Sequence, residues 1–480
     1  MSYPSSLDAR SIGARSSTVG GTRRGAVAIA LGITVVSGCA TLSPDGGFGD
    51  VQRIVKERSH QEARWSTNPA ESEAVRASVR ESLARPLSVD DAVHIALVNN
   101  RGLQATYAEL GVADAELVAA SWPRNPGLSF SHLQGGGEKE IERGLTLELV
   151  RVLTIPLAVR VERGRLEMTQ LSIAAEVLDV MGQTRRAYFM AVAAQQAAAY
   201  MEQVQIAAEA GAELARRMSK AGNWSKLDQT REQLFYADAT ALVARARKAA
   251  VSQRERLTRL LGLSGFEIRF ELPERLPDLP AGIADGSDIE ARALSDRLDV
   301  QALKKDLEGL ATSLELTKAT RFVNVLELGP KSKSETGHAR KNGYEISIEI
   351  PLFDWTGAKV AKAEYIYMQQ VGHAAELAVN AQSEVRESFA AYRTNYELAR
   401  HYRDEVVPLR KRISDENQLR YNGMLISVFE LLADAREQVM SVNASIEALR
   451  DFWLAETDLQ SAMTGTSAAL SKASRNFTAQ

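Results

Sequence analysis

Six histidines, one cysteine, a run of three glycines and scattered carboxylates are the residues of this 480-residue chain whose types can do chemistry, so their spacing comes first. His60, His94, His132, His338, His373 and His401 form no His-Glu-x-x-His helix face and no other metal-ligand spacing. No Gly-x-Ser-x-Gly nucleophile elbow occurs. Gly135-Gly136-Gly137 is followed by neither Gly-Lys-Ser/Thr nor a helix start, which argues against a phosphate loop. The single cysteine, Cys39, rules out an intrachain disulfide and means that a Cys-based metal site would have to recruit other ligands. With no catalytic constellation, no cofactor motif and no metal site, the chain reads as a protein that is not an enzyme.

Cys39 itself stands at an informative place. Arg23 and Arg24 precede the apolar run Gly25 to Val36, which is short for a transmembrane helix and has the basic start and small-residue end of an export signal. Val36-Ser37-Gly38-Cys39 resembles a bacterial lipobox, which implies cleavage before Cys39 and lipid on its thiol and amino group. Ala40 rather than Asp follows, which in such lipoproteins implies sorting to the outer membrane. A non-lipidated signal peptide is the alternative, and the long leader admits a start codon downstream of Met1. Acids and bases nearly cancel, to a net charge of -3, so no general basic field is available for nucleic acid.

The elements around these residues are mostly helical, since proline and aromatics are sparse. Residues 41–85 are polar without sustained period and read as an extended arm. Ser88 caps a helix with Asp91 in the N3 place, and the pattern carries it to about Ser121, before Pro123 and Pro126. Gly127 to Leu133 and Gly144 to Thr154 read as a strand hairpin across the glycine triplet. No proline lies between Pro156 and Pro273, so Leu157 to Lys220 predicts one helix, roughly 95 Å long. Ala221-Gly222-Asn223 breaks it, and Ser225 caps a second helix ended by Gly262.

The same plan then recurs. Ala96-Leu97 has its counterpart in Ala293-Leu294, Pro156-Leu157 in Pro351-Leu352 and Gly222 in Gly423, at nearly constant separation, which argues for a tandem duplication. The second unit predicts a helix over 289–320, strands over 322–328 and 344–350, a long helix after Leu352, and a last helix over 427–463. Tyr344, Ile346, Ile348 and Ile350 alternate with Glu345, Ser347 and Glu349, giving one apolar and one polar face. Val385, Phe389, Tyr392 and Tyr396 make a narrow apolar seam for helix packing, and Pro408 should kink or break its helix.

Four strands of this length suit a tilted crossing of a bilayer, yet four cannot close a barrel, so a membrane reading requires oligomerisation. The repeated order of helix, strand pair, Pro-Leu and long helix, the stretches Ile350 to Gly357, Arg420 to Gly423 and Leu431 to Arg436, and the openings Leu87 to Arg101 and Arg297 to Ala302 resemble the TolC-type outer-membrane efflux family, specifically the outer membrane factor lipoproteins of tripartite efflux systems. The resemblance covers about Leu87 to Gly465. It implies a fold that is mainly α with a small β part, in which a trimeric, twelve-stranded β-barrel continues as an α-helical barrel. It also implies a homotrimer in outer-membrane lipid, docked to a periplasmic adaptor and an inner-membrane pump, through which small molecules or metal ions pass passively.

Under that resemblance Thr146, Glu148, Glu345, Ser347 and Glu349 face a water-filled lumen. Glu430 and Asp434, one helical turn apart, are the acids available for a periplasmic gate. The spacing there departs from the family pattern by about one residue, and a solvated surface pair is the competing reading. The units are then a signal peptide (1–38), an N-terminal arm (39–86), a first repeat (87–263), a linker (264–288), a second repeat (289–465) and a disordered tail (466–480). The rival functional reading is a lipid-anchored periplasmic coiled-coil scaffold or adaptor without a pore.

Overall fold

The computed structural model describes residues 41–66, 68–283, 285–286, 288–320, 325–349 and 357–465. The signal peptide, Cys39, most of the stretch Ile350 to Gly357 and the tail 466–480 lie outside the described residues.

The arm is not extended. Helix α1 (Phe48–Ser59) buries Phe48, Val51 and Val55 on one face, and α2 (Pro69–Ser82) starts with Asn68, whose side chain accepts from the Glu71 N–H, before Pro69 at N1. Polar composition hid these helices because their apolar stripes are narrow. The helix opened by Ser88 is also two helices, α3 (Val89–Asn99) and α4 (Arg101–Ser121). Asn100 leaves the helical region, accepts from the Leu103 N–H with its side-chain oxygen, and donates from Nδ2 to the Leu260 carbonyl at 2.9 Å. A tertiary partner for that amide outweighs the continuous helix that the local pattern favours.

Strands β1 (Gly127–Gly135) and β2 (Glu138–Glu148) meet in a two-residue turn, Gly136-Gly137, with φ of 62° and 92°. Both positive values suit the mirror-image turn that matches strand twist. Strand β2 ends six residues earlier than its apolar run suggests. The long helix α5 (Leu149–Lys220, 72 residues) begins there and carries Pro156 inside it, which leaves the Val152 carbonyl without a helical partner on an exposed stretch. At 1.5 Å per residue α5 is about 110 Å long. It is the axis of the helical part, packing against α1, α3, α4 and α6 (Lys226–Leu261).

The chain from 263 to 283 is irregular apart from a short 3-10 turn, yet Leu263, Phe270, Leu272 and Leu276 are buried against α5 and α6. Next come α7 (Ile289–Asp296) and α8 (Leu298–Ala319), again two helices where the pattern suggested one, broken at Arg297. Strands β3 (Leu326–Glu335) and β4 (Lys341–Ile348) follow; β3 runs seven residues past Leu328, through Gly329-Pro330. Helix α9 (Gly357–His401) passes through one π-helical turn, Tyr402–Val406, into α10 (Val407–Asn422). Pro408 is absorbed by that turn, as a local break rather than a helix end. Ser427 caps α11 (Val428–Thr464). The seam over 385–396 is core: Tyr392 and Tyr396 pack on Phe452 with ring centroids 5.6 and 5.8 Å apart.

The strands form one antiparallel sheet in chain order, β1-β2-β3-β4. The central seam joins two hairpins distant in sequence, with Leu147 opposite Leu328 and Glu142 opposite Lys333.

Candidate functional site

Directly opposed residues share a face, so the register sorts every strand residue onto one of two surfaces. One surface is an apolar band. Leu128 and Leu145 are paired, Leu147, Leu328 and Ile346 run across three strands, and Leu326 opposes Ile348. These side chains point away from any core: Leu128 is 82% exposed, Tyr344 78%, Phe130 65% and Ile346 54%. Toward the turns the band gives way to His132, Gln134, Lys139, Arg143 and Asn342 on the same face.

The other surface is charged. It carries Thr146, Glu148, Glu345 and Ser347, and the Glu349 N–H donates to the Val325 carbonyl so that the alternation continues to Glu349. All five pore candidates therefore lie on one face of one sheet. Glycines crowd this face: Gly127 opposes Thr146, Gly144 opposes Ser129, and at Gly329 a Cβ would clash with the Leu145 carbonyl oxygen.

Sequence reasoning missed the cations on this face. Lys331 and Lys333 sit in the second half of β3 and form ion pairs with glutamates of β2, β3 and β4. Gly329-Pro330 read as a strand end, although Lys331-Ser332-Lys333-Ser334-Glu335 keeps a period of two that would have exposed them.

The two gate candidates are not equivalent. Glu430 is exposed at N3 of α11, where its N–H donates to Ser427 Oγ at 3.3 Å, a capping position favourable to an acid whatever else it does. Asp434 is half-buried, and its Oδ2 is buried without a hydrogen-bond partner among the described residues. A contact that the sequence did not suggest ties the same region together. Arg436 of α11 pairs with the buried Glu232 of α6 and lies over the Phe235 ring at 4.5 Å.

Two polar clusters lie elsewhere in the helices. Arg297, 1% exposed, donates from Nε and Nη2 to the two oxygens of the fully buried Asp299 at 3.0 and 2.7 Å, and from Nη1 to Glu384 at 2.8 Å. Burial works against the charge on this guanidinium, but its two carboxylate partners prevail and hold its pKa above the ordinary value. Asp306 of α8 accepts from Gln370 of α9, and burial pushes its carboxyl up to about 6 against the opposing pull of that hydrogen bond and of Arg165.

Among the described residues no group of three or more His, Cys, Asp or Glu is placed to hold a metal ion, and no helix is long and apolar enough to cross a membrane. No family model matches the chain. The cobalt-zinc-cadmium resistance protein CzcC of Cupriavidus metallidurans is 25% identical over 279 residues, a match covering 56% of this chain and 63% of that protein, so less than two thirds of the relative is spanned. The solved CmeC outer membrane channel of Campylobacter jejuni is similar with a TM-score of 0.66 at 15% identity, over 88% of this chain and 95% of that one. The open state of the Neisseria gonorrhoeae MtrE outer membrane channel gives a TM-score of 0.63 at 18% identity, over 78% and 89%. The chain thus has the fold of outer-membrane channels, and these neighbours match the TolC-type outer-membrane efflux family that its motifs resemble.

Proposed function

We propose that this chain is the outer-membrane exit duct of a tripartite efflux system. Three copies close their four-stranded sheets into one barrel, and the long helices continue it as an α-helical tunnel into the periplasm. The observation that carries this reading is the sheet with an exposed apolar band on one face and a charged face on the other. Water would penalise such a band, whereas lipid on the apolar side and a wet lumen on the charged side suit both faces. The open edges β1 and β4 cannot face hydrocarbon unpaired, so closure needs further copies.

On this reading Thr146, Glu148, Glu345, Ser347 and Glu349 line the lumen, and Glu430 and Asp434 stand near the periplasmic entrance. Asp434, with its unpaired buried oxygen, is the better gate candidate, since Glu430 already serves the helix start. Cys39 carries the lipid anchor, and the recurring order of two helices, a hairpin and two long helices reflects a duplicated ancestor, since both openings break at corresponding places, Asn100 and Arg297. An adaptor and an inner-membrane pump supply the cargo, which passes without chemistry. The likeness to a cobalt-zinc-cadmium resistance protein favours metal ions as that cargo.

The test is conductance of the detergent-extracted protein in planar bilayers. Discrete steps from a trimeric particle are expected. A protein that never conducts, even with Glu430 and Asp434 neutralised, would leave the lipid-anchored scaffold.

A further inference from the structure

Each lysine on the charged face of the sheet stands among carboxylates. Lys331 Nζ lies 3.4 Å from Glu142 of β2 and 3.5 Å from Glu345 of β4, so it bridges the strands on either side of its own. Lys333 Nζ lies 2.7 Å from Glu140, 2.9 Å from Glu335 and 3.6 Å from Glu142. The register gives the reason. Glu140 is directly opposite Glu335, and like charges so placed repel; Lys333, one alternation back on β3, reaches both and offsets them.

The same opposition recurs toward the helices, where Glu148 faces Glu327. There no lysine joins the row among the described residues; Arg124, just before β1, reaches Glu148 at 3.1 Å. Glutamates therefore outnumber lysines on this face. Lys341 of β4, opposite Lys333, reaches Glu335 at 3.3 Å from the rim, and the two β3 lysines, in the middle of the sheet, temper the rest of the excess in the space the sheet lines.

We propose that Lys331 and Lys333 set the charge selectivity of the duct, tempering a preference for small cations over anions that the glutamate rows create. The inference rests on the exit-duct reading, in which this face lines the lumen and three copies repeat each charge around it. Removing three charges per assembly, each roughly 10 Å from the pore axis and screened over a Debye length of about 10 Å, changes the cation-to-anion permeability ratio about fourfold. The sign depends on the charge removed.

The experiment is the reversal potential of single channels in a potassium chloride gradient. Wild type favours potassium over chloride. Lys331→Gln and Lys333→Gln each raise the ratio about fourfold, Glu345→Gln lowers it by a similar factor, and Lys333→Arg leaves it unchanged. If Lys333→Gln fails to assemble because it frees the Glu140–Glu335 repulsion, Lys331→Gln and Glu345→Gln carry the test with opposite signs. A wild type that does not conduct overturns the duct reading and this inference with it. A conducting wild type whose ratio is unmoved by the lysine substitutions, or moves only with Glu430 or Asp434, overturns this inference alone.

Discussion

Ile346→Arg asks which face of the sheet meets lipid. Ile346 lies mid-band, opposite Leu328 and between Tyr344 and Ile348 on the same face, and it is 54% exposed in the single chain. If that face lies against hydrocarbon, an arginine near the bilayer midplane costs about 2–4 kcal/mol per chain, hence about 6–12 kcal/mol for three copies. If the face lies in water, the change is an ordinary surface substitution worth about 0.5 kcal/mol or less. Ser347→Arg is the control, one residue away and on the charged face. The assay is the yield of folded, heat-modifiable oligomer in the outer-membrane fraction. Since about 1.4 kcal/mol is a tenfold change in an equilibrium, Ile346→Arg should cut the yield by well over tenfold while Ser347→Arg stays close to wild type. Equal yields for both, or failure of Ser347→Arg alone, would refute the assignment of faces.

Further expectations concern the seam and the buried charges. Gly329→Ala places a methyl against the Leu145 carbonyl where no side chain can yield, so it should cost about 3 kcal/mol or more and reduce folded yield, while Gly343→Ala, on the same face with open space, should be tolerated. Asp299→Ala strips two charge-assisted bonds from the buried Arg297 and should cost about 3 kcal/mol, read as roughly a hundredfold faster native-state proteolysis near 297. An Arg297→Met/Asp299→Leu double variant should recover most of that loss, and a double variant as labile as the single would contradict the assignment. Burial pushes the Asp306 carboxyl up to about 6, above the ordinary carboxylate range, so the native state binds the proton more tightly. Its contribution to stability is greatest below about 4 and falls as pH rises through 6; Asp306→Asn should flatten the melting temperature over that window and raise it at neutral pH.

Much of this was legible because the informative patterns were local and long. Alternation over Tyr344 to Glu349 is a property of consecutive residues, so it identified both faces of β4 without knowledge of what lay beside them. The proline-free run after Pro156 similarly announced a helix longer than any compact core can bury. What stayed hidden depends on distant partners. Asn100 ends a helix because the Leu260 carbonyl awaits its amide, and nothing near Asn100 in sequence says so. Pro156 read as a boundary because isolated helices reject proline, yet here an established helix tolerates it near its start. Arg297 and Asp299 looked like part of a polar repeat opening, and only the approach of Glu384 and the Ala462 carbonyl makes their burial affordable. Of the site itself, the five candidates on β2, on β4 and just after it followed from alternation, whereas Lys331 and Lys333 were lost behind Gly329-Pro330.

The central claim is that β1 of one copy pairs with β4 of another to close a barrel from three chains. Cysteines placed at Ser129 or Ser131 on β1 and at Gly343 or Glu345 on β4 test it by oxidative cross-linking in membranes. The account predicts disulfide-linked species that rise to three chains and stop there, for at least one pairing in the series. Links confined within single chains, or ladders that stop at two or run past three, would contradict it.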